Sequence, residues 1–428
     1  MNPPSRLRDP LGFAKVASDL ADLLAPEITS RQYDARWLSI LCWSIQRVNE
    51  SLPKISTTEQ RYDRLRGLEL RWVIEACCLK NEGRGRQLPG GRTVRLLNKN
   101  LLHLSTIRQK MGEAQWKRYR SAGPYSAYRG MLHSLDLVAD DGWTLREDGE
   151  ALASVAAANL TPSAVISISR VVNGNEKSNW VKFWLLRWPL RKEPPQAASF
   201  LPTARALKLT PGEIRVISPL LFSAADSRTA VAKSVGRSNA SSHADLCKEL
   251  QHDLLKEKKW RPDEIRKLKK LAAFSRLADA AVESLSAAFV ASSARTKMDI
   301  VVGDTTVKFW LEELRAACKT WSSVKADQVV DYRIVDDFAE AIASAKTLKT
   351  VLVELIRFHE EHAGGVRWLR IEGDTIDKIA RRKKPPYSFY RFRLAQLARL
   401  ARGCALITGL PPCLDSAAEI TSEDEENE

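Results

Sequence analysis

His359 and His362 are the residues that most suggest metal chemistry, because they flank two glutamates in the run HEEH. Three residues apart on a helix, both imidazoles fall on one face. The pattern is one residue shorter than the zinc-protease spacing and has no identifiable third ligand, so no metal site is expected. A metal-dependent nuclease needs clustered carboxylates. Asp331, Asp336 and Asp337 form one candidate group and Asp63, Glu69 and Glu75 another, although helical surfaces carry such groups routinely. Neither a Gly-rich phosphate cradle nor a GxSxG elbow occurs: GGRTVRLLN has glycines and arginines in the wrong order, and the serines near His243 have no framing turn. The cysteines Cys42, Cys77, Cys78, Cys247, Cys318, Cys404 and Cys413 form an odd, scattered set with no CxxC pair. That suits buried thiols in a reducing compartment. No catalytic residue and no cofactor emerges.

Charge is more informative. The chain has 67 Lys and Arg against 52 Asp and Glu, a formal excess of +15, and its last residues, Glu423 to Glu428, are acidic, so the body is more basic than the total. An excess of this size argues for a polyanion partner. The plainest basic segment is NEGRGRQLPGGRTVRLLNKN, residues 81–100, which reads as a loop presenting Arg84, Arg86, Arg92 and Arg95. Basic runs with interleaved aromatics follow: residues 108–120, with Lys117 and Arg118 beside Trp116 and Tyr119; 256–270 with Trp260; and 381–393, where Arg381, Arg382, Lys383 and Lys384 precede two prolines that forbid a helix. Such mixtures neutralise phosphates and stack on bases. For 256–270 a solvated helix face is the better reading, since Trp260, Ile265 and Leu268 fit one apolar stripe. The acidic tail, ITSEDEENE, is a solvated end or a polyanion mimic that occupies the basic groove.

The elements that would position these residues are mostly helices. Apolar clusters at three- and four-residue spacing predict helices in LGFAKVASDLADLLA and ARWLSILCWSIQRV, and a capping box at Ser56 to Glu59 starts a third. Trp37, Trp43, Trp72, Trp180, Trp184 and Trp310 sit in apolar periodic runs and read as core. The expected fold class is mainly α and multi-domain, with short β-hairpins near 300–308 and 366–376. The expected division is a helical domain over 1–160, a linker or small subdomain over 161–198, a helical C-terminal domain over 199–410 and a disordered acidic tail over 411–428. Neither a secretory signal nor eighteen consecutive apolar residues is present, so the expected location is cytoplasmic, with no membrane partner.

The segment GPYSAYRGMLHSLDLVADDGWTLREDGEALASVAAANL, residues 123–160, predicts a helix over 126–135, a strand at 136–138, a turn at Asp140-Asp141-Gly142, a strand at 143–145 and a helix carrying Leu152 and Val155. That order resembles the recognition helix, wing and following helix of winged helix-turn-helix domains. The resemblance implies that a helix exposing Arg129 and His133 enters a major groove. Asp140 and Asp141 in the turn depart from what a phosphate-facing wing would carry. The opening DPLGFAKVASDLADLLAPEITSRQYDARWLSILCWSI, with the closing GGVRWLRIEGDTI and YRFRLAQLARLARG, resembles uncharacterised bacterial proteins encoded beside helicases and nucleases in antiviral defence islands. It implies a nucleic-acid-binding, non-catalytic subunit of a multi-protein system, partnered by DNA ahead of RNA and by a helicase or nuclease. A scaffold docking an acidic protein, and a nuclease with an unrecognised site, stay open as alternatives.

Overall fold

Side-chain caps set the start of four of the helices among the described residues. In the computed structural model Thr210 opens helix Pro211–Leu221 with a full capping box, Ser242 caps His243–Lys256, Asp304 caps Thr305–Ser323 and Thr347 caps Leu348–His362. The structure describes residues 9–51, 57–62, 65–66, 68–69, 73, 89–90, 121–158, 209–223, 227–257, 260–324, 332–363, 367–379, 390 and 392–415. They are mainly α-helical. Numbered along the chain, the helices are α1 (Ala14–Leu24), α2 (Arg36–Ser51), α3 (Pro124–Ser134), α4 (Glu147–Ala158), α5 (Pro211–Leu221), α6 (Ser227–Arg237), α7 (His243–Lys256) and α8 (Pro262–Ala291). Then follow α9 (Met298–Gly303), α10 (Thr305–Ser323), α11 (Arg333–Ser344), α12 (Leu348–His362), α13 (Leu394–Gly403) and the short α14 (Pro412–Asp415). The strands are β1 (Arg295–Lys297), β2 (Leu369–Glu372) and β3 (Thr375–Lys378), in an antiparallel sheet of order β1-β3-β2.

The chain divides into two compact units, each assembled from separated segments. One comprises Met1–Pro26, Arg237–Leu394 and Pro411–Leu414, and the other Glu27–Gly236, Ala395–Leu410 and Asp415–Glu428. In the first, the 30-residue α8 packs against α7 and α10, and α10 against α11. Phe274, Leu277, Ala281 and Leu285 on α8 are fully buried there. In the second, α2 lies against α4 and α3, with α5 on α4. Trp37 and Trp43 are buried in α2 as expected, and Trp310 is half-buried on α10. Trp72, Trp180 and Trp184 lie outside the described residues.

The N-terminal DPLGF is a plug in the first unit. The Asp9 carboxylate accepts from the backbone of Phe13 (2.9 Å) and Ala14 (3.0 Å) and from the Tyr390 hydroxyl (2.8 Å). Gly12 takes φ +71°, and a Cβ there would stand 3.0 Å from Ile334 Cδ1 and 3.1 Å from His362 Cβ, so glycine is required on two counts. Phe13 is then driven among Phe274, Phe338, Phe358 and Tyr390.

Two sequence expectations change. Residues 300–308 are not a hairpin: Gly303 ends α9 and Asp304, accepting from the backbone of Thr306 and Val307, restarts the chain as α10. The β-branched run misleads because a strong N-cap overrides strand propensity. The capping box after Pro53 is also shifted by one residue, with Thr57 and Gln60 exchanging the two hydrogen bonds instead of Ser56 and Glu59. The hairpin about Gly373 is present, in β2 and β3.

Helix α13 ends in a Schellman motif: Leu406 N–H donates to Ala401 O and Ala405 N–H to Arg402 O, which puts Ala405 at φ +57°. A left-handed alanine costs about 1 kcal/mol relative to glycine. Ala405→Gly is therefore expected to stabilise the protein by roughly that amount, read as a rise in urea midpoint at unchanged slope; an unchanged midpoint would refute the strain.

Candidate nucleic-acid interface

Helix α3 is the element that the winged-helix resemblance places in a groove, and its mounting is specified residue by residue. Pro124 at the first turn has no N–H to satisfy. The next N–H, that of Tyr125, donates to the buried carboxyl of Glu69. Gln32 Nε2 donates to Ala127 O at 2.8 Å, and the Tyr128 hydroxyl accepts from Asp34 N and donates to Asp34 O. Tyr125, Ala127, Tyr128, Met131 and Leu132 are buried, leaving Arg129, Gly130 and Ser134 exposed and Ser126 and His133 half-buried. Arg129 makes no ion pair among the described residues. His133 lies beside Gly142 and is less available than the sequence suggests.

The helix ends at Asp136, which adopts φ +56° as Leu137 N–H returns to Leu132 O and Asp136 N–H to His133 O. Of the two predicted strands, only an isolated antiparallel bridge, Val138 to Leu145, remains, supported by Ala139 N–H to Thr144 O. The residues expected to begin a strand are instead the helix cap. The turn is pinned from within. Asp141 accepts from Trp143 N, Thr144 N and the Thr144 hydroxyl. Against the partial desolvation that would raise it, those bonds and the Arg61 charge hold its carboxyl below the usual range. Trp143 is buried, stacked on Tyr125 at 5.8 Å and met edge-on by Tyr62 at 5.1 Å, and Asn49 Nδ2 donates to its carbonyl. Asp136 pairs with Arg146 at 3.1 Å, so Asp140 is the acid of the turn that still faces outward without an ion pair among the described residues. The hairpin closes on α4 at Gly149, where a Cβ would sit 2.2 Å from Leu137 O.

Burial pushes the Glu69 carboxyl up to about 8, opposed by the Tyr125 N–H and by Arg66. A group whose folded pKa is raised contributes stability that is full below the ordinary glutamate range and lost as pH rises through about 8. Raising the pH from 6 to 9 is expected to cost the Glu27–Gly236 unit on the order of 3 kcal/mol, a fall that Glu69→Gln should abolish. An identical pH profile in that variant would refute the assignment. Glu69 stood in the sequence as a nuclease candidate; the structure gives it a helix-mounting role, while Asp63 and Glu75 lie outside the described residues.

The remaining predicted residues are as follows. Arg84, Arg86, Arg92, Arg95, Lys117, Arg118, Arg381, Arg382, Lys383 and Lys384 all lie outside the described residues. His359 is buried with Nδ1 2.7 Å from Pro10 O and Nε2 2.9 Å from Trp368 N, so neither nitrogen is available to a metal. His362 stacks on Phe358, with Nδ1 3.1 Å from its carbonyl. Asp336 accepts from Trp321 Nε1 at 2.7 Å, beneath a Lys270 ammonium 4.2 Å over the same ring; Asp337 is exposed and Asp331 lies outside the described residues. Among the described residues no three His, Cys, Asp or Glu side chains converge to hold a metal ion. Cys42, Cys247, Cys318, Cys404 and Cys413 are buried, and burial pushes the Cys42, Cys318 and Cys404 thiols up to about 12, which suits packing and not nucleophilic attack. No helix among the described residues is long and apolar enough to cross a membrane.

Comparison with protein-family models, with curated proteins and with solved structures returned no match to the chain.

Proposed function

We propose that this protein is a non-catalytic nucleic-acid-binding subunit that grips the phosphate backbone, with duplex DNA as the preferred ligand. The observation that carries the reading is the excess of fifteen positive charges, a sequence-independent attraction for phosphate. The mounting of α3 supports it: Arg129 projects from a helix held rigidly at both ends, while Asp141 and Asp136 of the adjacent hairpin are engaged in local bonds. On this reading α3 and the hairpin act as recognition helix and wing, and the basic runs Arg84 to Arg95, Lys117-Arg118 and Arg381 to Lys384 supply further phosphate contacts. Arg129 as the sole exposed charge of α3 favours backbone docking over base readout. The resemblance of the chain's two ends to defence-island proteins supports a place in the cytoplasm beside a helicase or nuclease in antiviral defence.

The test is binding to labelled duplex and single-stranded DNA and RNA across a salt series with magnesium present, the products then run on a denaturing gel. Affinity is expected to fall linearly on logarithmic axes with salt, Arg129→Ala to reduce that slope by about 1, and joint replacement of Arg381 to Lys384 by alanine to reduce it by about 3 to 4. Absence of binding at low salt would overturn the reading and leave a scaffold for an acidic protein. Shortened strands would identify a nuclease.

A further inference from the structure

The buried ring of His359 joins three parts of the first unit: the N-terminal loop, helix α12 and the residue leading into β2. Trp368 N–H can only donate, so Nε2 carries the lone pair that accepts it at 2.9 Å. The proton therefore sits on Nδ1, which donates to the Pro10 carbonyl at 2.7 Å. Both nitrogens are satisfied, and the ring is neutral. A second proton would have to occupy Nε2, pointing directly at the Trp368 N–H. A backbone amide nitrogen offers no acceptor in return, so the charged ring and the Trp368 contact exclude each other.

We infer that His359 is an acid-sensitive latch: its protonation breaks the contact with Trp368 and releases strand β2 from α12. Consequences reach the sheet because the Trp368 carbonyl accepts from Ile379 N–H at the open end of the β2–β3 hairpin, and β3 in turn pairs with β1. The surrounding charges have partners of their own. Asp9 is held by Phe13 N, Ala14 N and the Tyr390 hydroxyl, Glu360 lies 3.6 Å from Arg370, and Lys349 binds both Asp299 of α9 and Asp374 of the hairpin turn. On the other helices packed around α12, Asp336 of α11 is bonded to Trp321 of α10 and Lys270 of α8 lies over that indole. Among the described residues Arg367 is the charged group that acts on the ring, and it opposes protonation together with the larger effect of burial, while the Pro10 carbonyl favours it. Release is thus expected below the ordinary histidine range, with stability present at neutral pH and lost as pH falls.

The experiment is amide hydrogen exchange of full-length protein between pH 7.5 and pH 5, corrected for intrinsic rates, together with ring-nitrogen NMR of protein labelled at its 6 histidines. As pH falls below the ordinary histidine value, exchange across Trp368 to Lys378 is expected to rise by up to about tenfold per pH unit until the ring is charged, and H359Q, whose amide donates and accepts without titrating, to stay flat. An equal rise in H359Q, or a wild-type hairpin that stays protected while the ring becomes charged, overturns the latch. If H359Q does not fold, the wild-type ring decides: a neutral Nδ1–H form at pH 7.5, titrating in step with the exchange, supports it, and a ring already charged at pH 7.5 overturns it.

Discussion

Replacing Glu213 with alanine is expected to destabilise the Glu27–Gly236 unit by about 3–5 kcal/mol, because it breaks a buried ion pair and opens a helix cap at once. Glu213 has no exposed surface, and one carboxylate oxygen lies 3.3 Å from Arg36 Nε, whose side chain is 6% exposed. The other oxygen accepts from Thr210 N at 2.7 Å while Thr210 Oγ1 accepts from Glu213 N, closing the capping box of α5. One side chain therefore starts α5 and ties it to the first turn of α2. The two roles separate by substitution. Glu213→Gln keeps an acceptor for Thr210 and removes only the charge, whereas the double variant Arg36→Met, Glu213→Gln removes both members of the pair and measures by difference how much the pairing itself contributes. Denaturant-dependent hydrogen exchange of residues 211–221 reads all three. A loss below about 1 kcal/mol for Glu213→Ala would show that the pair is not a tie.

What the sequence disclosed and what it hid divide along contact range. The helix of residues 14–24, the hairpin about Gly373 and the buried Trp37 and Trp43 were legible because apolar spacing and turn chemistry are local. So was the order of the 123–160 segment, although its strands shrank to one bridge. Where the reading failed, two local signals competed: in IVVGDTTVKF strand propensity pointed one way and the Asp304 cap the other, and the cap decided. The site itself was legible only as Arg129 on a helix face. Nothing near Glu69 announced that it would meet the N-terminus of a helix 56 residues on, and HEEH read as a weak metal motif because the partner of His359 is Pro10, 349 residues away. Phe13, Gly12 and Asp9 carried the one usable signal, a compact DPLGF at the head of an amphipathic helix, whose docking no spacing rule predicts.

That plug gives the second large effect. Phe13→Ala is expected to cost the first unit about 3–5 kcal/mol, the range for truncating a buried aromatic side chain. The ring has no exposed surface, and it meets Phe338 edge-on at 5.4 Å, with Phe274, Phe358 and Tyr390 each at 6.0 Å. Those neighbours come from α8, α11, α12 and the segment before α13, so they cannot collapse together without moving the helices that carry them, and a cavity should persist. An apolar cavity of that kind stays dry and takes up a small aromatic molecule. Benzene should therefore restore part of the lost stability to Phe13→Ala and none to wild type. Phe309 supplies the control, since it is 54% exposed and its truncation is expected to change stability by no more than about 0.5 kcal/mol. Equal effects at Phe13 and Phe309 would mean that the N-terminal loop does not hold its place in solution. The latch at His359 would then lose its Pro10 anchor as well, because Pro10, Gly12 and Phe13 dock as one loop.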